Sequence, residues 1–185
     1  MLRNLMILVV IAVVGRGSAA MAQDQTAYRA DSMIVDGARC ATVSRLGVHL
    51  FGIPVGAGGM SMDERAQVIA DSRLNALCDK GVLSVPDALQ VGRMGGEVVI
   101  YVDNPKNVGG LGTRTLILTI DTNYERFLGA GRCDIAYFWR DLMRLWSSVG
   151  IMKRYGEVRD PAGRLLNADD TWHHIPRGYS ARYGR

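Results

Sequence analysis

The chain is predicted to fold as an α+β domain, an antiparallel sheet of about five strands with two amphipathic helices on one face, in the order β-β-α-β-β-β-α. Three observations carry this expectation. Short runs of β-branched and apolar residues come in pairs around turn-forming glycines, as in Ala88 to Arg93 and Val98 to Tyr101 about Met94-Gly95-Gly96. Ser61-Met62-Asp63-Glu64 has the form of a capping box, in which the Ser hydroxyl and Glu carboxylate satisfy free amides at a helix start. The stretch from about Asp134 to Val149 carries the broadest apolar face in the chain.

In chain order, the first feature is a targeting signal rather than an element of the fold. Arg3 supplies a positive charge, Leu5 to Val14 form an unbroken apolar run of ten residues, and Ala20-Met21-Ala22 offers the small-x-small pattern of a signal-peptidase site. A spanning helix needs roughly twenty apolar residues, so residues 1–22 are expected to be a cleaved signal peptide, leaving no transmembrane segment. The protein is then expected outside the cytoplasm, periplasmic or secreted. Residues 23–38 are small and polar and read as a leader.

The domain is expected over residues 39–150. Cys40 to Ser44 and Val48 to Ile53 are extended in composition and close as a tight hairpin through Arg45-Leu46-Gly47, with Pro54 ending the second strand. After the Gly56-Ala57-Gly58-Gly59 turn, Ala66, Ile69, Ala70, Leu74 and Leu77 recur at helical spacing until Lys80-Gly81 stops the helix. The Gly95-Gly96 hairpin follows, then a long loop over Asp103 to Gly112, then a strand from Thr113 to Ile120. The last helix presents Ile135, Phe138, Trp139, Leu142, Met143, Leu145, Trp146 and Val149 on one face. Residues 151–185 lose periodicity, gather Pro161, Gly163, Pro176, Gly178 and Gly184 among basic residues, and read as a loosely ordered tail.

Charge and cysteine content narrow the function classes. The chain carries a formal charge of +4, of which Arg3 and Arg16 leave with the signal segment, and the small remainder argues against nucleic acid. The surplus lies in the tail, where Lys153, Arg154, Arg159, Arg164, Arg177, Arg182 and Arg185 outnumber Glu157, Asp160, Asp169 and Asp170, which gives a possible contact with a membrane surface or another polyanion. Cys40, Cys78 and Cys133 have no CxxC spacing, so neither a metal nor a redox cofactor is expected. In an oxidising compartment one disulfide is expected instead. With all strands in one sheet, Cys40 falls at the end where the last helix begins, so the expected pair is Cys40 with Cys133, and Cys78 is left as a buried thiol.

Gly47-Val48-His49-Leu50-Phe51-Gly52-Ile53, followed by Gly58-Gly59-Met60-Ser61-Met62-Asp63-Glu64-Arg65-Ala66, Ile69 and Arg73-Leu74, resembles the extracytoplasmic amino-terminal domain of some bacterial small-conductance mechanosensitive channel proteins. Thr119-Ile120-Asp121 and the helix containing Trp139 are similar to that domain's strand end and closing helix. The likeness covers roughly residues 42 to 149. It implies an envelope-facing module that docks or senses, without channel helices after it and therefore without conduction.

Candidate chemistry is sparse. The glycine-rich turn meeting a helix start, with Gly58, Gly59, Ser61 and Arg65, is a ligand-binding candidate for an anion, although Asp63 and Glu64 already place negative charge there. Arg65 is otherwise expected to pair with Asp63 or Asp121. Trp172, Arg177, Tyr179, Arg182 and Tyr183 are the partner-binding candidates, through stacking and charge. His49 in a strand lacks a G-x-S-x-G nucleophile, and Asp121, Thr122, Asn123 and Glu125 form a polar cluster after a strand. Asp169, Asp170, His173 and His174 lie too near Pro176 and Gly178 to form a rigid metal site. No catalytic residue is assigned, and no metal or cofactor. The function expected is a non-catalytic binding or sensory accessory module of the cell envelope acting through an envelope protein partner. The alternatives are a small hydrolase of cell-wall or polysaccharide substrate and a secreted polyanion-binding protein using the basic tail.

Overall fold

The computed structural model describes residues 27–84, 86–110, 112–147 and 172–183. The expected signal segment, the start of the leader and the basic residues between 151 and 171 lie outside them.

The strands form two sheets rather than one. Strands β1 (Tyr28–Val35), β2 (Ala38–Arg45) and β3 (Val48–Ile53) make one antiparallel meander, and β4 (Leu89–Met94), β5 (Glu97–Asp103) and β6 (Arg114–Ile120) make another. The expected five-stranded sheet is therefore corrected to two three-stranded sheets. β1 occupies half of what reads as a leader. It is joined to β2 by Asp36-Gly37, both at positive φ (49° and 79°), the backbone that a two-residue hairpin turn requires.

A helical rod, α1, follows the first sheet. It is built of an α-helical piece Met62–Gln67, a π-helical piece Val68–Asn75 and a final turn Ala76–Asp79. The capping box forms as expected: the Glu64 amide donates to Ser61 Oγ (3.2 Å), and the Ser61 amide donates to the Glu64 carboxylate (2.8 Å). The second sheet leads into a short helix, α2 (Thr122–Leu128), and a long one, α3 (Arg132–Ser147). Each meander is thus followed by a helix that packs on it: α1 on β1 to β3, and α3 on β4 to β6 with a further contact to β3.

One apolar core joins both layers. Trp139, fully buried on α3, sits among Phe51 of β3, Tyr124 of α2 and Trp172, with ring centroids 5.9, 5.7 and 6.1 Å away. Arg45, buried at the end of β2, ties the edges of this core together. Its guanidinium donates to Tyr28 Oη (3.2 Å), to the Trp146 carbonyl (3.0 Å) and to Cys78 Sγ (3.6 Å). A cation at the carbonyl end of α3 also suits that helix's dipole.

Two further expectations are corrected. Cys40, Cys78 and Cys133 are all free thiols. Cys40 does not open the first strand but lies inside the β1/β2 hairpin opposite Met33, buried beside Gly52 and Trp172, and that burial pushes its thiol up to about 12. Cys78, expected as the buried thiol, is partly exposed, as is Cys133, and Cys40 is the buried one. The tail, in turn, is not loose throughout: residues 172–183 dock on α3. Trp172 lies so tightly over Gly52 that a Cβ at that glycine would fall 2.2 Å from its ring, and a strand glycine commonly marks such a close approach. Trp139 Nε1 donates to the Trp172 carbonyl (2.7 Å). Among the described residues no helix is long and apolar enough to cross a membrane.

Candidate functional site in the cleft between α1 and β6

The glycine-rich turn closes on itself. Ala57 and Met60 exchange backbone hydrogen bonds (3.0 and 3.1 Å) around Gly58 and Gly59, whose φ values of 62° and 80° make a tight hairpin-like loop. The helix start beside it is already satisfied by Glu64, whose carboxylate takes both the amide and the hydroxyl of Ser61 and is held below the usual range by them. Gly59 and Ser61 are therefore structural. Gly58 and Arg65, with Ala57 and Met60 of the same turn, do face a concavity, of about 230 Å³, whose other walls are Val68, Ile69 and Arg73, with Leu116 to Thr119 of β6 opposite.

Helix geometry explains how α1 brings both arginines to this cleft. Arg65, Val68 and Ile69 are spaced as neighbours on one α-helical face. From Val68 the rod winds as a π-helix, whose bonds run i to i+5, and Arg73 is five residues beyond Val68. Arg73 also follows Ile69 by four residues, the neighbour spacing of an α-helix, so it stays on the cleft face under either winding.

On the far wall, β6 carries a bulge: Leu118 lies opposite Ile100 and Leu116 opposite Tyr101, so Ile117 has no partner on β5. Its carbonyl accepts instead from Arg73 Nη1 (2.7 Å), while Arg65 Nη1 donates to the Val55 carbonyl (2.6 Å). Each guanidinium is thus pinned through one terminal nitrogen and retains further donors, since the group carries five.

Neither arginine has a carboxylate within ion-pair distance among the described residues. The acids expected for Arg65 are engaged elsewhere. Asp63 forms a two-point pair with Arg39 on β2 (2.8 Å at each contact), and Asp121 caps α2 through the Asn123 amide (2.8 Å). Burial, followed by the positive charge of Arg65, pulls Arg73 below the ordinary guanidinium value. Arg65 also acts on the buried Tyr124 phenol, pulling against the burial that raises it. A half-buried pair of like charges with carbonyls for partners is an anion-accepting arrangement.

The remaining candidates do not converge. His49 Nδ1 lies 2.9 Å from Thr42 Oγ1 across the β2/β3 hairpin, the half-buried strand position its sequence suggests. Glu125 accepts from the Arg132 amide at the start of α3 (3.1 Å) and pairs with the Arg132 side chain (3.4 Å), which also meets Glu97 (2.7 Å). Asp121, Glu125 and His49 therefore stand in separate local contacts and share no cleft with Arg65. Among the described residues no cluster of His, Cys, Asp and Glu suits a metal ion, and Asp169 and Asp170 lie outside them.

The aromatic residues of the tail are used internally. Trp172 and Tyr179 are buried, and Tyr183 stacks on Tyr137 at 4.8 Å. Asp134 accepts from the Gly178 and Ser180 amides (2.8 Å each) and from Ser180 Oγ (2.6 Å). Asp141 accepts from Tyr179 Oη (3.0 Å), from Tyr183 Oη, and from Arg140 (2.7 and 2.9 Å). Arg182 lies over the Tyr179 ring at 5.0 Å. Of the expected partner-binding set only Arg177, Arg182 and one side of Tyr183 face solvent.

Sequence reasoning thus reached Gly58 and Arg65 and missed Arg73, which reads there as a flanking helix residue. Its signal was the four-residue step from Arg65 to Ile69 to Arg73, which sets both arginines on the helix stripe that carries Ile69. Comparison of the chain with protein-family models, with curated proteins and with solved structures finds no match, so the roles of these residues rest on their geometry.

Proposed function

We propose that this chain is an exported, non-catalytic binding module of the cell envelope that acts through contact with a partner protein, and that the cleft between α1 and β6 is its contact site. The carrying observation is the pair Arg65 and Arg73: both line one concave, largely apolar surface and, among the described residues, meet backbone carbonyls rather than carboxylates. Holding like charges together without a counter-ion costs stability and is retained where a ligand supplies the opposite charge. The envelope setting is supported by Arg3, the Leu5 to Val14 run and Ala20-Met21-Ala22, and by the resemblance to a channel's outer domain.

Photo-crosslinking in envelope preparations tests this reading. Met60 is 37% exposed at the cleft and Ile34 is 63% exposed on β1, so each accepts p-benzoylphenylalanine without loss of packing. One discrete adduct is expected from position 60 and none from position 34. No adduct, or the same adducts from both positions, contradicts the proposal.

A further inference from the structure

We infer that the α1/β6 cleft recognises the carboxyl terminus of an extended polypeptide whose last residue is apolar. The inference rests on the binding-module reading above and names the ligand class of that site. Arg65 and Arg73 take the terminal carboxylate, the last side chain packs on Val68 and Ile69, and the preceding backbone lies along β6.

Three features point to this ligand over other anions. The first is the match of groups: a guanidinium offers paired, coplanar donors that suit the two oxygens of a carboxylate. The second is the wall chemistry. Met60, Val68, Ile69, Leu116 and Leu118 make the cleft mostly apolar, which suits a carboxylate carried on an apolar residue better than a heavily hydrated phosphate. At about 230 Å³ the cleft is also smaller than the pockets of about 300–1,000 Å³ that enclose whole small ligands, and it fits a single terminal residue.

The third feature is the strand edge. Among the described residues β6 pairs only with β5, and along the cleft, at Leu116 to Thr119, its outer edge carries no further strand. That edge is interrupted at Ile117, where Arg73 already occupies the bulge carbonyl. An extended chain running along β6 towards Ile117 meets the guanidinium there and cannot continue past it. A chain that ends at this point places its carboxylate on Arg73. The same arginine therefore blocks continuous pairing and rewards a terminus.

The test uses the full chain, immobilised, and two pools of hexapeptides randomised at the first five positions and ending in Val, Leu or Phe. One pool carries a free carboxylate, the other a terminal amide. The free-acid pool is expected to be retained at least tenfold more than the amide pool. Arg73→Gln and Arg65→Gln are each expected to reduce that retention at least fivefold, with circular dichroism and melting temperature close to the parent. Arg73→Lys, which keeps the charge without the planar donors, is expected to recover only part of it.

Equal retention of the two pools overturns the inference. So does displacement of the acid pool by inorganic phosphate at concentrations where chloride has no effect, which would mark a general anion site. Binding of free hexanoate as tight as that of selected peptides would assign the cleft to a small carboxylate and also overturns it. A crosslinked partner from position 60 combined with equal retention leaves the module reading standing and removes only the ligand class. Absence of both removes the two together.

Discussion

The face of α3 under the tail and the cleft beside α1 treat charge in opposite ways. On α3, Asp134 and Asp141 are met by donors of the same chain, with Gly178, Ser180, Tyr179 and the neighbouring Arg140 at 2.6 to 3.0 Å and Tyr183 supplying one more. In the cleft, Arg65 and Arg73 are held by carbonyls and by nothing negative among the described residues. A charge answered within the chain fastens the architecture, whereas a charge left unanswered in a concavity is available to a ligand. Composition alone suggests the reverse, because the aromatic and basic residues of the tail look like a docking surface and the helix looks plain.

Mutations on the two sides should separate cleanly. The largest effect belongs to the core that both share. Trp139→Ala removes the ring at the centre of Phe51, Tyr124 and Trp172 together with its bond to the Trp172 carbonyl, and should cost about 3–5 kcal/mol in urea unfolding. A loss under about 1 kcal/mol would mean that the tail segment is not packed there.

Asp134→Ala comes next. It removes the acceptor of three bonds at a partly exposed position, so a loss of about 1–2 kcal/mol is expected, with faster hydrogen exchange at the Gly178 and Ser180 amides. The pH dependence has a defined sign. Burial pushes the Asp134 carboxyl up, but the bonds from Ser180 and Gly178 together outweigh it and hold the carboxyl below its ordinary value. Its contribution is therefore complete above the unfolded value of about 4 and is lost as pH falls through the lower folded value. Exchange protection of the two amides should hold at pH 5 and fall in stronger acid, and a loss beginning near pH 6 would contradict the assignment.

Arg73→Gln should do far less to stability. It gives up one bond to Ile117 while relieving repulsion with Arg65, so unfolding is expected to shift by less than about 1 kcal/mol. Smallest is Arg39→Ala. Its two-point pair with Asp63 is solvent-exposed, so only a slight loss, shrinking with added salt, is expected in the same unfolding assay.

Local signals in the sequence proved legible and long-range ones did not. The Ser61 and Glu64 cap, the Leu46-Gly47 and Gly95-Gly96 hairpins and the apolar face of α3 all depend on residues a few positions apart, and all form. β1 was hidden because Arg29, Asp31 and Ser32 face outward on an edge strand, although Asp36-Gly37 marked the turn that closes it. Division into two sheets depends on which strand edges meet across the core, and no local pattern encodes that. α2 was equally obscured, since Asp121 reads as a possible acid until Gly129, at a φ of 63°, closes the helix that Asp121 caps. Docking of Trp172 follows from the space left at Gly52, two distant positions whose relation appears only once the chain is folded. Arg73 belongs to this class too: its part in the cleft depends on a bulge on another strand, whose carbonyl holds it.

Amide chemical-shift mapping of the full chain with pentanoate, a minimal carboxylate on an apolar stem, tests the central claim most directly. The predicted result is a set of saturable shifts confined to Met60, Val68, Ile69, Arg73 and Leu116 to Thr119, and abolished by Arg73→Gln. Shifts centred on Gly178 to Ser180, or spread over both faces and unchanged in Arg73→Gln, would show that the unanswered arginines are not a binding site.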